Sequence, residues 1–311
     1  MGTIGELGEF GLIGRLTGRL PQGGDVRLGP GDDAAVIAAP DGRVVATTDL
    51  LGEGRHFRLD WSGPYDIGRK AAAQNLADVV AMGARPTALL IGLALPAATD
   101  VGWAERLYDG LADECAVVGA SVAGGDVVSA PEITIAVTAL GDLGGRPPLT
   151  RSGARPGDLV AVRGALGHSA AGLHLLQNPG PGARTAAEQR LVQAHLRPVP
   201  PYEAGAEARE LGATALLDVS DGLLQDLGHI AAASGVRIEV DSAAVPAPPF
   251  PGPERRRFAL TGGEDHAFAG TFPATAVPPP SWTVVGKVRE GRGVTLDGAV
   301  QGPGGWDHFR E

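Results

Sequence analysis

The chain has 311 residues, of which 43% are hydrophobic and 20% charged, a composition typical of a globular protein long enough for two domains. Its formal net charge of −10 argues against a nucleic-acid surface and against binding to an anionic membrane. The single cysteine, Cys115, excludes an intramolecular disulfide and a cysteine metal cage, and it fits a reducing cytosol. We expect no signal peptide and no membrane span, because the N-terminus lacks the signal pattern and no apolar run is long enough.

Hydrophobic periodicity predicts helices alternating with strands. In the first half, the predicted helices are 7–20, 65–83 and 100–118, and the predicted strands are 34–39, 43–48, 86–95 and 133–140. Phe10, Ile13 and Leu16 are expected to share one side of the first helix. The turn at Pro40-Asp41-Gly42 is expected to join 34–39 and 43–48 as paired strands. The core positions predicted for the second helix are Ala71, Leu76, Val79 and Val80.

The glycine- and proline-rich segment 143–148 is the best linker candidate, which gives domains of 1–144 and 145–311. Beyond it, the predicted strands are 158–163 and 214–219, and the predicted helices are 168–177, 186–195, 203–212 and 221–234. Irregular loops are expected at 178–186 and 244–253. Because strands alternate with helices, the predicted fold class is α/β or α+β.

Aspartates recur beside β-prone runs. Asp49 ends VVATTD, Asp126 ends SVAGGD, and Asp218 and Asp221 lie in LLDVSDG, while Asp78 lies within a predicted helix. Each alone has a plainer explanation: a turn, a helix cap or a solvent-facing side chain. Together, carboxylates at strand ends would converge on one rim of a sheet and repel each other by roughly 4 kcal/mol per pair at 4 Å and an effective dielectric of 20. Oxygen-only ligands select a hard cation, Mg²⁺ before Ca²⁺, and such a site usually holds a polyphosphate.

Three glycine-rich segments are candidates for phosphate contacts: Gly124-Gly125, Gly164 to Gly167 and Gly262-Gly263. A plain turn is the simpler interpretation for Gly164 to Gly167, and Arg151 considered alone is explained more simply as a surface charge than as a phosphate ligand. Cys115 is expected to be a small buried apolar residue. The chain has no P-loop motif, no protein-kinase catalytic loop, no HExxH zinc motif and no GxSxG nucleophile motif.

Taken together, the motifs resemble the thiamine-monophosphate kinase family. The matching segments run in order along nearly the whole chain: Gly8 to Ile13, Gly31 to Ala35, Thr47 to Leu51 with Glu53, Gly54, His56 and Phe57, Asn75 to Ala84, Gly124 to Asp126, Leu149 to Asp158, Ser169 to Leu173, Asp218 to Leu223, Leu260 to Asp265, and Gly305 to Phe309.

The resemblance implies the two-domain fold of the aminoimidazole ribonucleotide synthetase superfamily, with an N-terminal domain that binds ATP and pairs across a homodimer, and a C-terminal α/β domain. The implied reaction is ATP plus thiamine monophosphate giving ADP plus thiamine diphosphate, the final step of thiamine diphosphate synthesis, in the cytoplasm. We expect direct in-line transfer without a covalent nucleophile, because the acceptor phosphate is already ionised.

The resemblance also implies the site residues. The Mg²⁺ ligands would be Asp33, Thr47, Thr48, Asp49, Asp78, Asp126, Asp218 and Asp221. The ATP contacts would be Tyr108, Gly125, Asp126, Arg151 and Ser220. The contacts to thiamine monophosphate would be His56, Glu264 and Trp306, the last as an aromatic platform for the cationic thiazolium ring.

The chain departs from the family pattern at two motif positions: His266 replaces an aromatic residue after GGED, and Val127 replaces a threonine after GGD. The stretch 236–258 is also short compared with the family.

Other superfamily members fit less well: a selenophosphate synthetase would carry a reactive Cys or selenocysteine near its N-terminus, and a hydrogenase-maturation carbamoyl dehydratase would end in Cys. A ribonucleotide cyclo-ligase is less easily excluded. A non-catalytic nucleotide- or thiamine-phosphate-binding regulator is the alternative from another class, against which the full carboxylate set argues.

Overall fold

The computed structural model describes residues 2–30 and 34–301, and it divides into two compact units. The first unit contains residues 1–79 and 84–146, and the second contains residues 80–83 and 147–311. The chain passes from one unit to the other after Arg146, within the segment predicted as a linker. Two predicted site residues, Asp33 and Trp306, lie outside the described residues.

In its described residues, the first unit combines four helices with a four-stranded sheet and a two-stranded sheet. Its elements are α1 (Ile4–Leu7), α2 (Glu9–Thr17), β1 (Val26–Leu28), β2 (Val36–Ile37), β3 (Val45–Gly52), α3 (Pro64–Ala81), β4 (Arg85–Leu95), α4 (Val101–Val118), β5 (Ser121–Ser129) and β6 (Thr134–Asp142). The larger sheet has the order β3-β6-β4-β5, in which only the β4–β5 pair is parallel.

The two faces of the larger sheet differ in burial. Leu51 of β3 is buried, and so are Ile91 of β4 and Val137 of β6, which lie in one row with Asp49. We call this side, which carries Thr47, Asp49 and Leu51, the inner face. The other side, which carries Thr48 and Leu50, is the outer face, and Leu50 is 63% exposed there. Side chains alternate along a strand, so the register fixes which residues share a face.

Helices α3 and α4 cross at two glycines. A Cβ atom on Gly68 would lie 2.1 Å from the carbonyl oxygen of Leu107, and one on Gly110 would lie 2.2 Å from the carbonyl oxygen of Tyr65. Only glycine permits backbones to approach this closely. Near the crossing, Arg69 of α3 forms an ion pair with the buried carboxylate of Glu114 on α4. The two helices are therefore locked together at backbone distance.

The predicted helices of the first unit are confirmed, with α4 starting after Asp100, whose carboxylate accepts a hydrogen bond from the Gly102 N–H at 2.8 Å. The predicted core positions of α3 are all buried. The predicted side of the first helix is wrong at Phe10, which is 83% exposed, because α2 starts at Glu9 and buries Leu12 and Leu16, one turn apart.

The predicted pairing of 34–39 with 43–48 is also wrong. Gly42 does form a turn, with φ +74° and a hydrogen bond from its N–H to the Ala39 carbonyl. However, β2 pairs with β1, and β3 pairs along its whole length with β6. A long apolar partner strand distant in sequence thus displaced the local hairpin.

The second unit is built on a seven-stranded sheet. Its elements are β7 (Leu159–Arg163), α5 (His168–Gln177), α6 (Ala186–Leu196), α7 (Ala204–Glu210), β8 (Ala215–Val219), α8 (Leu223–Ser234), β9 (Arg237–Val240), α9 (Glu254–Thr261), β10 (Ala267–Phe272), β11 (Trp282–Arg289), β12 (Gly293–Leu296) and β13 (Ala299–Val300). The strand order is β13-β12-β9-β11-β7-β10-β8, and only β12–β9 is parallel.

The core of the second unit packs α8 against this sheet, with Leu217, Leu227 and Ile238 among its fully covered members. All four predicted helices and both predicted strands between 158 and 234 are confirmed within a few residues. Within the described part of the chain, none of the helices is both long and apolar enough to cross a lipid bilayer.

Candidate active site

A polar seam joins β3 to α3 on the inner face. Thr47 and Asp49, two residues apart on β3, point toward α3, where Gln74 and Asp78 are one turn apart. The Thr47 hydroxyl donates to the Asp78 carboxylate at 2.9 Å, and the Gln74 amide donates to the Asp49 carboxylate at 3.2 Å. The structure thus brings together three of the predicted metal ligands, Thr47, Asp49 and Asp78, in one half-buried row.

The seam continues to His56. Lys70, one turn before Gln74, is 2% exposed, and its ammonium group donates to the His56 carbonyl at 2.9 Å. The Nδ1 atom of His56 accepts a hydrogen bond from the Gly52 N–H at 3.0 Å. Lys70 therefore fixes the backbone of the loop that carries His56, a residue that the sequence assigns to substrate binding.

Asp126 and Thr48 lie elsewhere in the first unit. Gly125, not Asp126, occupies the row of Asp49, so Asp126 belongs to the outer face. Asp49 on β3 and Asp126 on β5 are also three strand spacings apart, which is about 14 Å at about 4.8 Å per spacing. The Thr48 hydroxyl also lies on the outer face, where it donates to the Val137 carbonyl. The expectation that strand-end carboxylates meet at one rim is wrong here, since Asp49 and Asp126 both lie within their strands.

The second unit holds an acidic cluster around the start of α8. Asp218 lies on β8 and is buried, and Asp221 follows the strand. The Asp226 carboxylate accepts hydrogen bonds from the N–H groups of Asp221 at 3.1 Å and Gly222 at 3.0 Å. Burial, followed by the charge of Asp218, raises the pKa of Asp226 to about 7. The cluster therefore disfavours the charged form of Asp226.

The segment Gly263 to His266 runs beside this cluster. A Cβ on Gly263 would lie 2.3 Å from the Ser220 carbonyl oxygen, so glycine is needed for the close approach. The Asp265 carboxylate is buried and accepts hydrogen bonds from the Gly167 N–H at 2.6 Å and the Ser169 N–H at 2.8 Å. These two amides at the start of α5, considered for phosphate binding, are thus occupied by a side chain of the chain itself.

Glu264 is held by a second small network. The Nδ1 atom of His195 lies 3.5 Å from a Glu264 carboxylate oxygen and 3.0 Å from the hydroxyl of Ser169. Ser169 and His195 are both buried, whereas the Glu264 side chain is about one-third exposed. The Glu264 carboxylate is therefore held by His195 on one side and stays partly accessible, which suits its predicted contact with substrate.

The predicted ATP contacts differ in accessibility. Tyr108 is buried in α4, and burial raises the pKa of its hydroxyl. Gly125 is required by β5, because a Cβ there would lie 1.9 Å from the Ile91 carbonyl oxygen. Arg151 is exposed, and Ser220 is half-buried with its carbonyl accepting from the Glu264 N–H at 2.8 Å. Their roles toward ATP stay predictions.

The donor sets suit Mg²⁺ bound to a nucleotide. Across residues 2–30 and 34–301, no three His, Cys, Asp or Glu side chains are grouped so that they could hold one metal ion. Protein-bound Mg²⁺ usually takes only one or two carboxylates and completes its shell with water and phosphate oxygens. The pairs Asp49 with Asp78 and Asp218 with Asp221 offer such oxygen ligands, and a cation would offset the negative charge that gathers around Asp218, Asp221 and Asp226.

Comparison with known proteins decides the family. Residues 31–143 match the family model for the AIR synthase related protein, N-terminal domain. The thiamine-monophosphate kinase of Mycobacterium tuberculosis (strain ATCC 25618 / H37Rv) is 47% identical over 325 residues, covering 99% of this chain and 94% of that protein. The chain belongs to the thiamine-monophosphate kinase family. It is therefore a kinase, as the sequence predicts.

Solved structures of the thiamine-monophosphate kinase family have the same fold. The enzyme from Stenotrophomonas maltophilia K279a has 34% identity and a TM-score of 0.82, covering 93% of this chain and 95% of its own. The structure of AaThiL complexed with AMPPCP and TMP has 36% identity and a TM-score of 0.80, covering 98% of both chains. The predicted α/β fold of the aminoimidazole ribonucleotide synthetase superfamily is confirmed.

Within this thiamine-monophosphate kinase family member, the structure adds residues to which the sequence analysis gave no role. They are Gln74, which contacts Asp49, Asp226, which binds the Asp221 amide, and His195, which contacts Glu264. The four-residue spacing of Gln74 and Asp78 was a usable signal. His195 had none, because it lies far from Glu264 in sequence.

Proposed function

We propose that this kinase transfers the γ-phosphoryl group of ATP to thiamine monophosphate, giving ADP and thiamine diphosphate. The observation that carries the proposal is the near full-length likeness to AaThiL, which was solved with AMPPCP, an ATP analogue, together with TMP. The 47% identity to a thiamine-monophosphate kinase supports the same substrate pair. The enzyme acts in the cytoplasm, where a free thiol such as Cys115 stays reduced.

Several Mg²⁺ ions would be held by Asp33, Thr47, Thr48, Asp49, Asp78, Asp126, Asp218 and Asp221, and the ion at Asp126 would differ from the ion at Asp49, because the two carboxylates lie on opposite faces of the sheet. When bound, these ions would supply charge neutralisation between two anionic reactants. The chain's own contribution is to fix these oxygens: Gln74 and Thr47 hold the carboxylates of Asp49 and Asp78, and the Asp221 backbone is tied to Asp226. Tyr108, Gly125, Arg151 and Ser220 would hold the nucleotide.

On the acceptor side, His56, Glu264 and Trp306 would bind thiamine monophosphate. Lys70 fixes the His56 loop, and His195 supports the Glu264 carboxylate. The acceptor phosphate is ionised at neutral pH, so its oxygen attacks the γ-phosphorus directly and no general base is needed. Positioning of two reactants in line is worth several powers of ten in rate, which makes these supports part of the catalysis.

The proposal includes a homodimer formed through the outer face of the first unit. Leu50 is 63% exposed and Val128 51% exposed on that face, at the two edge strands β3 and β5, and exposed apolar surface of this kind marks interaction sites. A twofold dimer pairs one patch with itself. We expect sedimentation equilibrium to give twice the chain mass, Leu50→Asp to give monomers, and Val277→Asp, at an exposed residue of the second unit, to leave the mass unchanged. A monomeric wild-type protein would contradict the dimer.

One assay tests the reaction: purified protein with ATP, Mg²⁺ and thiamine monophosphate, followed by chromatography of thiamine diphosphate. We expect turnover by the wild type and a loss of roughly 100-fold in Asp49→Asn and Asp78→Asn at saturating Mg²⁺, the scale of removing one electrostatic group. Asp60→Asn is the matched control, because Asp60 is an exposed partner of Arg58. No product from the wild type would refute the function, and unchanged turnover in Asp49→Asn would refute only the metal role.

A further inference from the structure

The segment Glu264 to His266 has an unusual backbone. Glu264 has φ +64° and His266 has φ +52°, and they are two of the three non-glycine residues with positive φ in the described ranges 2–30 and 34–301. L-residues adopt this region only when their surroundings impose it. Here the N–H of Glu264 donates to the Ser220 carbonyl at 2.8 Å, and that of His266 donates to the Val219 carbonyl at 3.1 Å. The buried Asp265 carboxylate anchors the residue between them on the start of α5.

This backbone turns the ring of His266 onto Asp218. The Nδ1 atom of His266 lies 3.1 Å from Oδ2 of Asp218, and the two residues are 5% and 6% exposed. A buried carboxylate held by a ring nitrogen cannot change rotamer without breaking that bond. The contact engages Oδ2 of Asp218 and not Oδ1. Outer-shell partners that orient a ligating carboxylate in this way commonly control metal affinity.

We propose that His266 is a positioning residue for Asp218: its Nδ1–H group donates to Oδ2 and sets Oδ1 toward the divalent cation. This inference depends on the proposed function, since it takes Asp218 as a metal ligand. The positive φ angles of Glu264 and His266 have a role in this arrangement, because they place the His266 ring against the Asp218 carboxylate. The same turn directs Glu264 to His195, so one structural device supports both a metal ligand and a substrate contact.

The test is a titration with Mn²⁺ alone, in which the free ion is measured by electron paramagnetic resonance. His266→Phe keeps a ring of similar size and removes the donor, and His266→Gly removes the ring at a φ that glycine adopts without strain. Both should weaken Mn²⁺ binding roughly 10- to 100-fold, the usual effect of losing an orienting partner. His266→Asn places an amide N–H near the position of Nδ1–H and tolerates positive φ, so its affinity should stay within about threefold of wild type. Asp218→Asn provides the reference loss.

The outcomes separate the two levels of inference. If Asp218→Asn binds Mn²⁺ as the wild type does, Asp218 is not a ligand, and both its metal role and the positioning of it are refuted. If Asp218→Asn weakens binding but His266→Phe and His266→Gly do not, only the role of His266 is refuted. Equal losses in His266→Asn and His266→Gly would also refute donation by Nδ1–H. Thermal melting of each variant, measured in parallel, identifies any that is unfolded, and the decision then rests on the comparison of His266→Gly with His266→Asn at a temperature at which both are folded.

Discussion

The buried carboxylate of Asp265 should make the stability of this protein depend on pH in a specific direction. Burial raises the pKa of Asp265 to about 7 from its ordinary value of 3.8, against the opposing effect of the Gly167 and Ser169 amides. The folded protein therefore holds this proton more tightly than the unfolded chain does. The resulting stabilisation is fully present below pH 3.8 and is lost as the pH rises through about 7.

The size of the effect follows from the two pKa values. A difference between 3.8 and about 7 corresponds to about 4 kcal/mol, at about 1.4 kcal/mol per pKa unit. In Asp265→Asn the side chain no longer titrates, and one of the two amides at the start of α5 loses its acceptor. That loss adds a cost of about 1–3 kcal/mol that does not vary with pH. The excess stability of wild type over variant should thus be largest near pH 4 and shrink by up to about 4 kcal/mol by pH 8.

Urea unfolding of both proteins at several pH values, followed by circular dichroism, measures this difference. Other titrating groups contribute equally to both proteins and cancel. Val277→Ala, at an exposed residue without a titratable group, is the control and should give a difference from wild type that is flat with pH. A flat difference for Asp265→Asn as well would refute the reasoning, because it would mean that the carboxyl titrates alike in the folded and unfolded chain.

Two further predictions concern the first unit. Gly110→Ala should lower the free energy of unfolding by about 1–3 kcal/mol, because its Cβ would meet the Tyr65 carbonyl oxygen at 2.2 Å. Gly14→Ala is the control, since a Cβ there meets open space, and equal melting temperatures of the two variants would contradict the backbone contact. Lys70→Met should raise the KM for thiamine monophosphate by about tenfold with a smaller change in kcat, because the His56 carbonyl loses the hydrogen bond from Lys70. Lys287→Met, at the chain's other lysine, which is exposed, should leave the KM unchanged. Steady-state kinetics measures both, and an unchanged KM in Lys70→Met would argue against the role of the His56 loop.

Local sequence determined most of the helices. The periodicity of 65–83 and 100–118 places α3 and α4, and the Asp100 cap and the glycine after each helix set their ends. Such signals need only residues within a few positions of one another. The motif segments that carried the family resemblance could also be recognised from the sequence alone, since they are short and follow one another in order along the chain.

Strand partners and site geometry were decided only by the tertiary structure. The turn at Gly42 was present, yet β3 paired with β6, about ninety residues away, because the strand that matches it along its whole length is distant in sequence. Asp49 and Asp126 looked equivalent as carboxylates ending apolar runs, but the sheet register put them on opposite faces. A shift of one residue along a strand reverses the face of every side chain, and residue spacing within one segment carries no information about the register of another. The contact of His266 with Asp218 likewise exists only because β8 and β10 are neighbours in the folded sheet.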